Sequence, residues 1–154
     1  MDDLWLGASK NEAQCVFLLP NKPVLFKDGS AVLPDKASVA LLIELNGNHW
    51  RKILTIMAKL LAPHYDGWRE FRDDDLLNKV GIAFGVNQLE GYQGMLFIVG
   101  NTFRDVWPVP DSAKKIGEGH IASFSSSRVW CPYLDYRQFP NVLIERIRET
   151  ILEK

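Results

Sequence analysis

The sequence predicts an α/β fold, a three-layer sandwich with a central, mainly parallel sheet. Three observations carry that expectation. Short apolar runs alternate with amphipathic helical segments from residue 39 to the end of the chain, which is the pattern of strand and helix units in a parallel sheet. The run at 39–45 is apolar on both faces until Glu44, as expected of a strand covered by helices on each side. Two later runs, one ending in Gly100-Asn101 and one entering the serines at 123–127, break abruptly into small and polar residues, and open α/β sheets place ligand groups at such strand ends.

The elements follow in order. Residues 15–19 and 24–26 read as short strands punctuated by Pro20 and Pro23, with Lys27-Asp28-Gly29-Ser30 as a turn. Residues 1–37 are expected to form an edge hairpin or irregular cover on an α/β core of residues 38–154, the whole being one domain. The 39–45 strand ends in Asn46-Gly47-Asn48, a turn that also caps the next helix. Across 49–62, Trp50, Ile53, Leu54, Met57, Leu60 and Leu61 recur at helical spacing, and Pro63 closes the segment. Asp73, Asp74 and Asp75 open a second, shorter helix, where negative charge complements the helix dipole. Strands follow at 81–84 and 95–99, a short helix at 102–107, and a fourth strand at 119–122. The last helix begins near Pro140 and points Leu143, Ile144, Ile147 and Ile151 at the body. Glu145 with Arg148 and Arg146 with Glu149 pair on its wet side.

Composition bounds the function classes. With 47% hydrophobic and 24% charged residues the chain is expected to be a soluble globular protein. A formal net charge of −1 gives no bulk attraction toward nucleic acid or anionic lipid, although a neutral total can hide a basic patch. Cys15 and Cys131 lie far apart without metal-ligand spacing, so reduced thiols in a cytoplasmic protein are expected. The acidic start lacks a secretion signal. No apolar run approaches the roughly 18 to 20 residues that cross a bilayer. His49, His64 and His120 are too scattered to suggest a metal centre, and no cofactor is expected.

Four segments carry a family resemblance: Asn48-His49-Trp50-Arg51-Lys52-Ile53, residues 76–84, Phe97-Ile98-Val99-Gly100-Asn101, and residues 120–127. Their order resembles the uracil-DNA glycosylase superfamily: a strand, a catalytic loop, an aromatic-led helix, a Gly-Ile-Ala strand, an apolar strand ending in Gly-Asn, and a last strand feeding a serine-rich loop. The resemblance spans residues 38–154 and its motifs are short. It implies a DNA base-excision glycosylase acting on uracil or hypoxanthine. In that superfamily the loop after the first strand carries an acidic or amide residue beside a proline; here Asn46 and Asn48 supply amides and the proline is missing. The second loop carries His or Pro followed by Ser-Pro. Alignment on the histidine keeps His120 and Ser125; alignment on the Ser-x-Ser pattern keeps Ser123 and Ser125 and makes His120 a strand residue, and the second is preferred because the strand needs residues 120–122 for its length.

Breaking a base-to-sugar bond builds positive charge on the sugar and negative charge on the leaving base, so a positioned water and donors to the base are both required. The base must also leave the duplex for a pocket that stacks it and reads its edge. Asn46, Asn48 and His120 are the candidate catalytic residues. Phe84 is a stacking candidate, Asn87 and Asn101 offer amide contacts, and Ser123, Ser125, Ser126 and Arg128 suit phosphate oxygens. Each has a plainer use. Asn46 and Asn48 flank a glycine as turn and cap residues do, His120 fits a structural role, Phe84 suits the core, Asn101 can cap, and the serines can be a loop. Two function classes stay open: the glycosylase, with DNA or a nucleobase or nucleotide as partner, and a noncatalytic module that uses the same cleft to bind a nucleotide, a nucleic-acid strand or a protein. Trp5, Trp68, Trp107 and Trp130, placed in or beside loops, favour the second.

Overall fold

The computed structural model describes residues 4–152. Its centre is a seven-stranded sheet in the order β1-β5-β2-β6-β9-β8-β7. The strands are β1 (Trp5–Gly7), β2 (Cys15–Leu18), β5 (Val80–Ala83), β6 (Met95–Val99), β7 (Lys114–Ile116), β8 (Ala122–Ser125) and β9 (Arg128–Cys131). A separate two-stranded hairpin pairs β3 (Phe26–Lys27) with β4 (Ser30–Ala31). The four middle strands, β5, β2, β6 and β9, are parallel, and antiparallel strands close both edges. The chain is therefore a mixed α/β protein on a central sheet whose core is parallel.

The middle of the sheet comes from a segment expected to be cover. All four residues of β2 are buried, and it takes partners on both sides, Val16 opposite Gly81 and Leu96. A strand buried on both faces needs apolar residues without alternation, and Cys15-Val16-Phe17-Leu18-Leu19 meets that need as well as 39–45 does. Residues 39–45 are instead helical, within α1 (Val39–Asn46). A short apolar run fits either state, and here Ser38 decides: its hydroxyl accepts the Leu41 N–H at 3.1 Å and caps the first turn. The helix turns Val39 and Leu42 inward and Glu44 to solvent. Gly47, at φ +69°, then ends α1 and opens α2 (Asn48–Leu61), a corner that favours glycine because a β-carbon is penalised there.

Helix α2 matches its expected span and is the main packing element. Trp50, Ile53, Leu54, Ile56, Met57 and Leu60 are all buried, and burial of each such side chain contributes roughly 1.5–3 kcal/mol. They meet the sheet face made by Phe17, Ile82, Phe97, Val129 and Cys131, on which Phe17 and Phe97 stack at 4.6 Å across the β2–β6 register. The same layer holds a helical stretch that includes α3 (Trp68–Glu70), a π turn at Phe71–Asp75 and α4 (Leu76–Lys79). Asp73, Asp74 and Asp75 thus lie inside a helical stretch rather than at its start. The layer ends with α5 (Asn141–Ile147) and a π turn at Arg148–Leu152. Leu143, Ile144, Ile147 and Ile151 face inward as expected. Arg148 does not stay on the wet side: it is buried and donates through Nη1 to the Lys59 and Leu60 carbonyls, capping the end of α2. Residues 1–3 and 153–154 lie outside the described residues.

The second sheet face has a thinner cover. Val16, Leu18, Ala83, Leu96, Ile98 and Trp130 pack there against Val86 and Leu89 of a single 3-10 turn, Val86–Leu89, and against Phe103, Trp107 and Val109. The helix expected at 102–107 is a run of turns. The expected fourth strand at 119–122 is mostly turn: Gly117 and Gly119 sit at φ +94° and +75°, and the strand proper, β8, starts at Ala122 and runs antiparallel into β9. The fourth parallel strand is β9. Among the described residues no helix is long and apolar enough to cross a membrane.

Candidate functional site

The four parallel strands deliver their carboxyl ends to one edge, the place where open α/β sheets collect ligands. Strand β2 runs into Leu19-Pro20-Asn21, β5 into Phe84-Gly85, β6 into Gly100-Asn101, and β9 into Pro132-Tyr133. Leu19 N–H continues the ladder to the Ala83 carbonyl at 2.9 Å, and Gly100 N–H to the Cys131 carbonyl at 2.9 Å. The start of α2 brings His49 to the same edge.

These ends are tied by a chain of polar contacts. The Tyr133 hydroxyl donates to Asn21 Oδ1 at 2.8 Å, and its oxygen lies 2.7 Å from His49 Nε2. Because the tyrosine proton goes to Asn21, His49 acts as the donor in this pair, which leaves Nδ1 as the lone-pair nitrogen of the neutral ring. The two rings also stack, with centroids 5.8 Å apart. Asp135 follows two residues on. Its Oδ1 accepts the Arg137 N–H at 3.0 Å and its Oδ2 lies 3.8 Å from Lys52 Nζ. The Arg137 N–H, with the Lys52 and Arg137 charges behind it, holds the Asp135 carboxyl below the usual carboxylate range. Burial pushes the Tyr133 phenol up, Asp135 adds to the rise, and the bond to Asn21 opposes it, so Tyr133 stays a neutral donor near pH 7.

Several expected site residues fall elsewhere or have other work. Asn46 does lie near this edge, but its Oδ1 accepts the Val24 N–H at 2.7 Å while Nδ2 donates to the Val24 and Leu42 carbonyls. It clamps the chain at Val24 to α1, a structural use that its place beside Gly47 does not reveal. Asn48 is exposed on the first turn of α2. Phe84 is at the strand-end edge, half-buried and tilted against buried Trp50 at 6.4 Å, and Asn101 is exposed there after Gly100. Asn87 is exposed on the Val86–Leu89 turn over the thin-covered face. His120 is exposed in the turn between β7 and β8, beside Val142 and Arg146 of α5. Ser123 is buried in β8 opposite Trp130.

The serine loop marks the main correction to the expected cleft. Ser125 pairs with Arg128, Arg128 pairs with Leu96 at the start of β6, and the Ser127 carbonyl accepts the Leu96 N–H. Ser125, Ser126 and Arg128 therefore lie at the edge where the parallel strands begin, opposite Asn46 and Asn101, and no single cleft joins them. Their loop is a two-residue hairpin turn with Ser126 and Ser127 at φ +49° and +71°. Such turns prefer Asn-Gly, and serine in this region costs roughly 1 kcal/mol or more per residue.

The sequence motifs do not single out Asn21, Tyr133, Lys52 or Asp135 as site residues, and they suggest no role for His49 beyond a scattered histidine unsuited to a metal centre. The signal for the first was present, because Pro20-Asn21 after an apolar run is an amide beside a proline. A cavity of about 260 Å³ also opens at the strand-start edge, between the end of α2 and the starts of β2, β5 and β6. Its nucleophile, the Cys15 thiol, is pushed well above its ordinary value by burial, so it stays protonated and inert.

A family model described as a family of unknown function (DUF6942) matches residues 6–152, and the chain belongs to that family. No curated protein and no solved structure matches it.

Proposed function

We propose that the strand-end edge is the site of a DNA base-excision glycosylase acting on uracil or hypoxanthine, centred on Asn21 rather than on Asn46 and Asn48. The observation that carries this reading is the position of Asn21. It is an amide directly after a proline, in the loop after the first central strand, and the Tyr133–His49 chain holds it. After the β3–β4 hairpin and α1, that loop is followed by the aromatic-led α2 and then by the Gly-Ile-Ala strand β5, which keeps this part of the segment order in the resemblance. The accompanying fold reading is a uracil-DNA glycosylase-like three-layer sandwich in which the Val86–Leu89 turn and the 101–113 loop form the third layer.

In the proposed reaction a water bound to Asn21 adds to C1′ of the sugar as the bond from C1′ to the base nitrogen breaks. The electron pair leaves with the base, and the water proton passes to His49 Nδ1 or to solvent. The amide orients the water and places its oxygen dipole near the developing positive charge on the sugar, which needs geometry more than basicity. Phe84 and Asn101 line the same edge for the displaced base. Two free buried thiols, Cys15 and Cys131, accord with a cytoplasmic setting.

One observation favours the second reading, a noncatalytic module binding a nucleotide, a nucleic-acid strand or a protein. The Asn21 oxygen already accepts the Tyr133 hydroxyl, leaving one lone pair for a water. An assay on oligonucleotides containing deoxyuridine or deoxyinosine, followed by alkaline cleavage, separates the two. A glycosylase gives strand breaks at the modified base, and Tyr133→Phe changes their rate. No abasic product on either base removes the glycosylase reading and leaves the module.

A further inference from the structure

At the strand-start edge, opposite Asn21, three features meet at Arg128. Its guanidinium lies 4.4 Å from the Trp107 ring centroid, and Trp107 is fixed in turn because its carbonyl accepts the buried Trp130 Nε1–H at 2.9 Å. Among the described residues no protein acceptor takes a guanidinium N–H of Arg128 and no carboxylate pairs with it. Beside it stands the Ser126-Ser127 turn, held in a backbone conformation that glycine would fill more easily. Strained backbone that persists in a fold points toward a retained use of its side chains.

These residues wall a cup of about 130 Å³, together with Gln93 and Gly94. Every polar side chain around it is able to donate: the Arg128 guanidinium, the hydroxyls of Tyr92, Ser126 and Ser127, the Trp107 indole and the Gln93 amide. An Arg fork held by stacking is already oriented, so binding a tetrahedral oxyanion costs less side-chain entropy. A wider depression of about 420 Å³ adjoins the cup and shares Tyr92, Trp107 and Arg128 with it. Asn87 and Glu90 line this second part. Glu90 lines the depression and not the cup, where its charge would repel an anion, and with Asn87 it offers acceptors for an amino group on a flat ring. Aromatic and guanidinium planes with edge acceptors are the means by which unpaired bases are held.

We propose that this two-part groove binds a nucleoside monophosphate, with the phosphate in the Ser126–Ser127–Arg128 cup and the base in the depression against Tyr92 and Trp107. The groove lies at the edge opposite Asn21 and does not rest on the glycosylase reading. The phosphate comes from a free nucleotide or from the end of a strand. Titration calorimetry of the full chain with AMP, GMP, adenosine, guanosine, inorganic phosphate and a 5′-phosphorylated oligonucleotide tests it. The expected result is saturable binding of a monophosphate, at least about ten-fold weaker binding of its nucleoside, and a similar loss in Arg128→Gln. Competition by the oligonucleotide at equal affinity assigns the phosphate to a strand end, and failure to compete assigns it to a free nucleotide. Ser126→Gly with Ser127→Gly keeps the turn and removes both hydroxyls, so it is expected to weaken monophosphate binding without lowering the melting temperature. No saturable binding near 1 mM, a range where weak sites register, or equal affinity in wild type and Arg128→Gln, overturns the proposal.

Discussion

The two edges of the parallel sheet differ in how their polar groups are held. Where the strands end, Asn21, Tyr133 and His49 bond to one another and Asp135 is fixed by the Arg137 N–H. Where they begin, the Arg128 guanidinium is positioned by an aromatic face and, among the described residues, gives its N–H groups to no protein acceptor. A chain of mutual bonds fixes a group's geometry and uses some of its capacity, whereas stacking orients a group and leaves that capacity for a ligand. The first arrangement suits a step whose barrier depends on placement. The second suits affinity.

The largest expected effect breaks the strand-start edge alone. Trp130→Ala opens a cavity on the thin-covered face and releases the Trp107 carbonyl, and replacing a buried Trp in this way costs about 3–5 kcal/mol. Urea unfolding should show that loss. In whatever folded protein remains, the Tyr133–His49 contact should persist, visible as an unchanged His49 ring resonance in NMR spectra.

A pair of amide substitutions sharpens the contrast at the strand ends. On the proposed glycosylase reading, Asn21→Ala should lower single-turnover base release by about 100-fold, the size of a lost transition-state contact, with little change in stability because the side chain is exposed. Asn46→Ala should do the reverse. It frees the Val24 backbone from its clamp and costs about 1–2 kcal/mol with no matching loss of rate. Equal effects of the two on rate would show that the edge is not organised around Asn21.

A smaller effect, with the opposite sign, is expected at the serine turn. Ser126→Asn with Ser127→Gly gives the turn its preferred residues and should stabilise the protein by roughly 1 kcal/mol, measured as a rise in the urea midpoint. A turn retained for its hydroxyls gains stability in this variant and loses monophosphate binding.

The smallest effect is a slope with pH. Burial pushes the Tyr92 phenol from its ordinary 10.0 to about 12 and raises both cysteine thiols. Groups whose folded values are raised contribute stability that is complete below their unfolded values and lost as pH climbs toward the folded ones. Stability should therefore hold through neutral pH and decline from about pH 9 upward, with Tyr92 ionising late in an absorbance titration. A flat profile up to pH 12 would contradict the burial of these groups.

How far the sequence could be read follows from length and contrast of pattern. Helix α2 was legible because fourteen residues repeat one apolar stripe, and β5 and β6 because glycine brackets their apolar runs. Residues 15–19 form the strand expected of them, but they and not 39–45 take the central place, because both runs are short and apolar throughout and periodicity carries no information in such a run. Ser38 at one and Pro20-Asn21 at the other were the local signs that separate them. Strand β9 was missed because it opens on exposed Arg128 and holds one turn's distance from a serine run. That single omission moved the serines to the wrong edge: with β9 in place, the chain reverses at Ser126-Ser127, and the loop before the last helix becomes Pro132-Tyr133.

The central position of β2 has a consequence for how the chain reaches this structure. It is made early, yet its neighbours in the sheet begin at Val80 and Met95, so its ladder waits on loop closures across about half of the chain. Such long-range pairing slows folding. During synthesis a wholly apolar strand stands unpaired until β5 and β6 emerge, and it is the segment most exposed to pairing with another nascent chain.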